Sequence, residues 1–319
     1  MGYLVTGAAG FIGSHLCEDL CSGPGGPVIG VDCFRDFYPS EIKRANLSGL
    51  AGNPRFHLLE ADLSDPAASE RLSAAIPSGE DLTIFHLAAQ AGVRKSWGSA
   101  FAAYLTDNVT ATQNLLEWAL RHGSVTNFLF ASSSSVYGLP AILPMVEDIT
   151  VPMPHSPYGV TKLAAENLVR LYTVNHGIPS VSLRFFTVYG PRQRPDMAFN
   201  MFLRAILRGA PIRIFGDGSQ TRDYTYIGDT VKGLRLSECC ADGRVMNLGG
   251  GSSVTILEAI RTMEEAAGRT ARLEFLPMQA GDVKDTRAST ELLERTTGWK
   301  PVTPLLEGLR RELDWLRNQ

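Results

Sequence analysis

Apolar positions in the first half of the chain alternate between short β-type runs and longer stretches with helical spacing. Tyr3-Leu4-Val5-Thr6 is the first run, and Ser14 to Leu20 behind it carries its apolar residues on one helical face. Val28 to Val31, Arg55 to Glu60, Asp81 to Leu87 and Thr126 to Ala131 are further runs, with helical segments between them. Phe101 to His122 and Pro157 to His176 predict two long helices with apolar stripes; Ser156 is placed to cap the second and Pro157 fits its first turn. Ser180 to Phe186 predicts another strand. Strands alternating with helices, without hairpin signals, predict a parallel sheet covered on both faces, an α/β architecture.

After Phe186 the alternation loosens. Gly190 to Asp196 is turn-rich and basic, and the apolar Ile212 to Phe215 leads into the polar loop Gly216 to Asp223. Ile227 to Cys240 reads as a helix returning to the sheet, and helices are predicted near Thr255 to Ala267 and Pro304 to Leu316. The expected organisation is a first domain over residues 1–189, rejoined by the helix near 227–240, and a smaller interleaved lobe over residues 190–319. No internal repeat or low-complexity tract interrupts this plan.

Composition narrows the function classes. The chain has 319 residues, 44% of them apolar, and a formal charge of −3, enough to bury a substantial core. With no basic block and a pI near 6.1, neither nucleic acid nor an anionic membrane is expected as a partner, and small-molecule chemistry is. The five cysteines, Cys17, Cys21, Cys33, Cys239 and Cys240, form no Cys-x-x-Cys pair and have no His at metal-ligand spacing. No metal site is expected, and a reducing compartment fits. The chain begins almost directly with a strand and contains no apolar run approaching the roughly 20 residues that span a bilayer, so a cytoplasmic location is expected. Excess apolar surface on the two long helices predicts a homodimer.

The candidate chemistry collects where strands end. Gly7-Ala8-Ala9-Gly10-Phe11-Ile12-Gly13 lies between the first strand and the first helix, the order that a dinucleotide site needs. Gly7 would permit a tight turn, Gly10 would let backbone amides approach a pyrophosphate, and Gly13 would let the helix pack against the strand; Phe11 and Ile12 open the helix that would face the anion. Asp32 ends the next strand about twenty residues on, where a carboxylate accepts hydrogen bonds from an adenosine ribose and repels a 2′-phosphate. NAD is therefore preferred to NADP, with Arg35 nearby tempering the preference. Asp62 and Leu63, then Leu87, Ala88 and Ala89, follow later strands; Asp62 is within reach of an adenine, and the two alanines would let a cofactor lie against the backbone. Tyr158 and Lys162 stand four apart on a predicted helix and so share a face, and Ser133, Ser134 and Ser135 end the preceding strand. An ammonium beside a phenol favours the phenolate, which makes this set a candidate acid/base centre.

The glycine motif together with Ser133, Tyr158 and Lys162 resembles the extended short-chain dehydrogenase/reductase family over Val5 to about Trp299. The resemblance implies a Rossmann doubly wound parallel sheet with a smaller α/β substrate-binding lobe. It also implies that Tyr158 is the base, that Lys162 holds the nicotinamide ribose, and that Ser133, three residues before Val136-Tyr137-Gly138, is the hydroxyl partner. Leu183 to Pro191, Arg192 to Met197, Gly216-Asp217-Gly218 with Thr221 to Tyr224, Ala89 to Arg94, and Pro277 to Asp282 narrow the resemblance to nucleotide-sugar epimerases, the UDP-glucuronate 4-epimerases above all. On that resemblance Arg222 would bind a diphosphate, Phe215 would pack near the uracil, Asp282 would meet the uridine ribose, and Arg194 with Thr187 would hold the sugar carboxylate; Ser134 and Ser135 would touch the substrate. An Arg fork also matches a carboxylate on geometric grounds alone. The related 4,6-dehydratases carry an Asp-Glu pair where Ser134 and Ser135 stand, so the acids that dehydration needs are missing. A UDP-glucose 4-epimerase, another nucleotide-sugar ketoreductase and a non-catalytic NAD-sensing protein are the alternatives that this reading leaves open.

Overall fold

The computed structural model of the chain describes residues 1–139, 142–277 and 283–319. The chain divides into two compact units, one made of Met1–Gly138, Pro152–Arg184 and Leu234–Met246, the other of Leu139–Val151, Phe185–Gly233 and Asn247–Gln319.

The first unit runs through β1 (Gly2–Thr6), α1 (Phe11–Ser22), β2 (Val28–Asp32), α2 (Ser40–Asn46), β3 (Phe56–Glu60), α3 (Ala68–Ala75), β4 (Leu82–His86), α4 (Phe101–Leu105), α5 (Ala111–His122), β5 (Val125–Ser133), α6 (Pro157–His176) and β6 (Ser180–Phe185). β3, β2, β1, β4 and β5 are neighbours in that order and each pair is parallel, so their C-terminal ends share one edge. β2, β4 and β6 are buried along their whole length, as strands covered on both faces must be. Leu4, Ile84, Phe128 and Phe130 from the strands pack with Leu115, Leu116 and Trp118 of α5 and with Ala165 and Val169 of α6.

Three local departures from the sequence expectations bear on the site. α1 starts at Phe11 rather than Ser14, so Gly13 lies inside the helix. The long helix expected over Phe101 to His122 is interrupted by a π-helical turn at Thr106–Thr110, whose Asp107 and Asn108 side chains bond to other segments. β5 continues beyond Ala131 to Ser133.

The remaining elements are β7 (Thr187–Tyr189), α7 (Ala198–Arg208), β8 (Pro211–Phe215), β9 (Thr221–Tyr226), α8 (Ile227–Leu236), β10 (Asp242–Leu248), β11 (Ser252–Thr255), α9 (Ile256–Ala267), β12 (Arg272–Leu276), α10 (Glu291–Thr297) and α11 (Leu305–Arg317). β10 joins the large sheet, whose order becomes β10-β6-β5-β4-β1-β2-β3. The helix expected over Ile227 to Cys240 ends at Leu236, and a 3-10 turn at Ser237–Cys239 leads into this strand. Asn127 of β5 fixes the turn, donating from Nδ2 to the carbonyls of Glu238 at 2.9 Å and Cys240 at 2.6 Å.

In the second unit β11, β9 and β7 make a small sheet, and β8 pairs in parallel with β12. Its core gathers Phe199, Leu203 and Ile206 of α7, Ile260 and Met263 of α9, and Leu309 and Leu313 of α11 around Tyr189 and Tyr224. α9 opens on a capping box between Thr255 and Glu258. The chain passes into this unit at Arg184/Phe185 rather than after Tyr189, because Thr187 to Tyr189 pair with β9. Among the described residues, no helix is long and apolar enough to cross a membrane.

Candidate active site

β1 delivers the chain into a glycine turn whose packing excludes side chains. Gly7 has φ of +70°, and a Cβ there would lie 2.9 Å from the amide nitrogen of Ala88. At Gly13 a Cβ would lie 2.1 Å from the Gly7 carbonyl oxygen, so only glycine lets α1 approach β1 this closely. α1 begins after Gly10, which has no side chain to cap the amides of Phe11, Ile12 and Gly13. A helix N-terminus built this way suits a pyrophosphate. Asp32, buried at the end of β2, accepts from the Ala9 amide at 3.2 Å, from the Phe34 amide at 2.8 Å and from Lys43 Nζ at 3.4 Å. Its two oxygens offer about four lone-pair directions, which leaves capacity for a ribose hydroxyl. The loop and the strand end thus fit a dinucleotide.

Arg35 is held by two carboxylates. Its Nη2 lies 2.7 Å from Asp62 Oδ2 and 2.8 Å from Asp107 Oδ1. Asp62 Oδ1 also accepts from the Ser64 amide at 2.9 Å and hydroxyl at 2.7 Å. Burial works to raise the Asp62 pKa, and the bonds from Ser64 and Arg35 outweigh it, holding the group below the usual carboxylate range. The cation that favours a 2′-phosphate is therefore engaged elsewhere. Leu63 is buried, with its carbonyl accepting from Asn114 Nδ2 at 2.9 Å.

A buried hydrogen-bond chain joins β1 to the π-helical turn. Thr112 Oγ1 donates to the Asn108 carbonyl at 2.7 Å, so its contact with His86 Nε2 at 2.9 Å requires that nitrogen to donate. His86 Nδ1 is then the acceptor for Thr6 Oγ1 at 2.7 Å, and Thr6 Oγ1 in turn accepts from the Ala88 amide at 3.1 Å. Burial, with the charge of Lys162, pushes the His86 pKa down to about 3, in keeping with this neutral tautomer. Leu87 and Ala88 are half-buried beside the glycine turn, and Ala89 is exposed. Asn108 accepts from the Gln90 amide at 2.7 Å and donates to the Gln90 carbonyl and to Thr161 Oγ1, both at 3.0 Å, tying the loop after β4 to α6.

α6 starts at Pro157, with Ser156 Oγ accepting from the Gly159 amide at 3.1 Å. A Cβ on Gly159 would lie 2.5 Å from the Ser135 carbonyl oxygen. The absence of that carbon lets the first turn of α6 rest on the serine turn at the end of β5, bringing Ser133, Ser134 and Ser135 together with Tyr158. Ser133 Oγ accepts from the Ser135 amide at 3.1 Å, which leaves its own proton for donation. Tyr158 is half-buried, with Tyr104 edge-on at 6.1 Å between ring centres, and the Tyr104 hydroxyl reaches the carbonyls of Ala91 at 3.1 Å and Gly92 at 2.9 Å. Lys162 is buried one turn along, its Nζ 4.3 Å from the centre of the Phe130 ring. Burial draws its pKa down to about 7, opposed by Glu166. A phenol, an ammonium and a donating hydroxyl in this arrangement can move a proton to or from an alcohol.

The second unit presents its candidates separately. Thr187 opens β7 opposite Tyr224, and Arg222 lies on β9 opposite Val254, with its Nη1 donating to the carbonyls of Thr221 at 2.8 Å and Lys284 at 2.9 Å. Phe215 ends β8 opposite Leu276. Arg194 lies between β7 and α7, in a turn latched by Gln193, which donates to the Val188 carbonyl at 3.0 Å and accepts from the Asn200 amide at 2.9 Å. The Arg194 fork grips Asp196, Nε to Oδ1 at 3.0 Å and Nη2 to Oδ2 at 3.3 Å. Asp282 lies outside the described residues.

Sequence reasoning passed over His86, Tyr104, Asp107, Asn108 and Gly159. Gly159 and the cluster Thr106-Asp107-Asn108 inside an apolar stripe were visible as oddities; the contacts of His86 and Tyr104, formed with distant segments, were not.

A profile of the NAD dependent epimerase/dehydratase family matches residues 3–249. A protein of Bacillus subtilis named as an uncharacterized UDP-glucose epimerase, YtcB, is 45% identical over 99% of this chain and 98% of its own length. A UDP-glucuronate 4-epimerase of Thermodesulfobacterium geofontis is 37% identical over 98% of this chain and 95% of its own. The crystal structure of a UDP-glucuronic acid 4-epimerase from Bacillus cereus, in complex with UDP-glucuronic acid and NAD, superposes with a TM-score of 0.93 at 41% identity, covering 100% of this chain and 99% of that one. By that profile and by relatives matched over nearly its whole length, the chain belongs to the NAD-dependent epimerase/dehydratase family.

Proposed function

We propose that the chain inverts C4 of a UDP-sugar through a 4-keto intermediate, converting UDP-glucuronate to UDP-galacturonate. The observation that supports this reading is the packing of the first turn of α6, which carries Tyr158 and leads to Lys162, on the turn that follows Ser133, together with serines at the two positions where the related dehydratases carry acids. NAD, when bound, would supply the hydride acceptor for C4. Gly7, Gly10, Phe11, Ile12 and Gly13 would hold its pyrophosphate, Asp32 its adenosine ribose, and Lys162 its nicotinamide ribose, with Asp62, Leu63, Leu87, Ala88 and Ala89 along the strand ends. Tyr158, as phenolate, removes the 4-hydroxyl proton; Lys162 favours that phenolate, and Ser133 hydrogen-bonds the same oxygen. Reprotonation by Tyr158 after the ketose has turned over completes the inversion.

A 4-keto glucuronate is a β-keto acid and loses carbon dioxide when its carboxylate bond aligns with the carbonyl π system. Arg194 and Thr187 are proposed to hold the carboxylate out of that alignment, with Arg222, Phe215 and Asp282 on the nucleotide and Ser134 and Ser135 on the sugar. The Arg194 fork is paired with Asp196, so holding a uronate would require it to exchange that carboxylate for the sugar's. UDP-glucose is the second reading, favoured by the name of the B. subtilis relative. A cytoplasmic homodimer is proposed as well, supported by exposed Val160, Leu171 and Val174 on α6 and Leu120 on α5.

Product NMR after separate incubation with UDP-glucuronate and UDP-glucose, without added NADH, is expected to give epimer from the first alone; turnover of UDP-glucose alone selects the second reading. Tyr158→Phe is expected to retain NAD and lose activity by about 100-fold or more, and undiminished turnover rejects the base. Arg194→Ala is expected to slow epimerisation and to release a UDP-pentose; normal epimerisation without decarboxylation contradicts its role. Asp62→Asn with Asp107→Asn frees Arg35 and is expected to tighten NADPH binding to the NAD-stripped protein by about tenfold, read by titration calorimetry. Unchanged NADPH affinity contradicts the account of cofactor choice.

A further inference from the structure

Beneath the acid/base set lies a buried charged group with no role in the reading above. Glu166 follows Lys162 by one turn of α6, on the same face. Its Oε2 accepts from Ser132 Oγ at 2.5 Å and Arg184 Nε at 3.1 Å, and its Oε1 accepts from Arg184 Nη2 at 2.6 Å. Both charged side chains are almost inaccessible, Glu166 at 7% and Arg184 at 5%. Ser132 directly precedes Ser133 on β5, and the Arg184 guanidinium lies 4.5 Å over the ring of Tyr137, whose amide closes the serine turn onto the Ser134 carbonyl at 3.1 Å. One carboxylate therefore meets three elements: α6, which carries Tyr158 and Lys162; β5, which ends in Ser133; and β6, which supplies Arg184.

We propose that Glu166 is a positioning residue of the acid/base centre, fixing α6 against the end of β5 and placing a negative charge one turn from Lys162. A buried ion pair is a weak source of stability, because desolvation offsets its attraction, so fold stability alone is a poor account of a bidentate pair at this position. The surroundings of Lys162 sharpen the point. From β4 it faces His86, neutral through most of the pH range; from β5 it faces the Phe130 ring; and from its own helix Glu166 opposes the effect of burial. Arg184, from β6, pairs with Glu166. Removing the Glu166 charge lowers the Lys162 pKa further, so the ammonium loses its proton at a lower pH. Activity that needs the ammonium then falls earlier as pH rises.

The inference rests on the assignment of Tyr158 and Lys162, so the test carries its own control. kcat and KM of the NAD-loaded enzyme are measured between about pH 6 and pH 10 for Glu166→Gln and Tyr158→Phe. For Glu166→Gln, kcat is expected to approach the unsubstituted value at the acid end and to fall about tenfold above neutrality, with the alkaline limb moved down by about one unit and KM little changed. An unmoved limb, or a loss that is uniform across pH, overturns the inference. The double variant Glu166→Gln/Arg184→Gln leaves no unpaired buried charge and is expected to show the same moved limb, so misfolding of the single variant does not remove the test. If Tyr158→Phe is inactive while the Glu166 variants keep the ordinary profile, this inference alone fails; full activity of Tyr158→Phe overturns it together with the proposed acid/base centre.

Discussion

The contact between the first turn of α6 and the serine turn that ends β5 is the constraint on which the candidate chemistry depends. It exists because Gly159 has no Cβ; any other residue would drive a carbon to 2.5 Å from the Ser135 carbonyl oxygen. Ser156 and Pro157 fix where the helix begins, and helical geometry then fixes where Tyr158, Lys162 and Glu166 emerge. A small displacement at this seam would change the distance from Tyr158 to any oxygen held by Ser133, and proton transfer is sensitive to such displacements.

Burial supplies the electrostatics of the same region. Burial against the Phe130 ring and the sheet draws the Lys162 pKa down to about 7, and burial with the Lys162 charge keeps His86 neutral, its tautomer set by two threonine hydroxyls. Beyond β2, Arg35 is paired with Asp62 and Asp107, away from Asp32, the residue proposed to meet the adenosine ribose.

Much of this plan can be read in the amino-acid order. Short β-type runs alternating with helical segments announced the parallel sheet, a capped, proline-led start placed α6 from Pro157 to His176, and Gly7 and Gly13 announced the close approach of α1 to β1. The π-helical turn was signalled only by the polar run Thr106-Asp107-Asn108 inside an apolar stripe, because the hydrogen-bonding partners of Asp107 and Asn108 lie in other segments. β7, with three residues, and β11, with four, are too short to show a period, and β10, which begins just beyond the helix predicted to end at Cys240, was assigned to no element. Arg194 was identified as a carboxylate fork from its type and setting, but sequence spacing gave no sign that Asp196 occupies it.

The central claim is that C4 is oxidised and reduced within the site, the hydride never reaching solvent. Turnover of UDP-glucuronate in deuterium oxide, followed by proton NMR of the epimerised product, tests it most directly. The account predicts full retention of protium at C4 and at C5. Deuterium at C4 would mean that inversion proceeds by proton exchange with solvent, and deuterium at C5 would mean deprotonation next to the ketone; either result contradicts it.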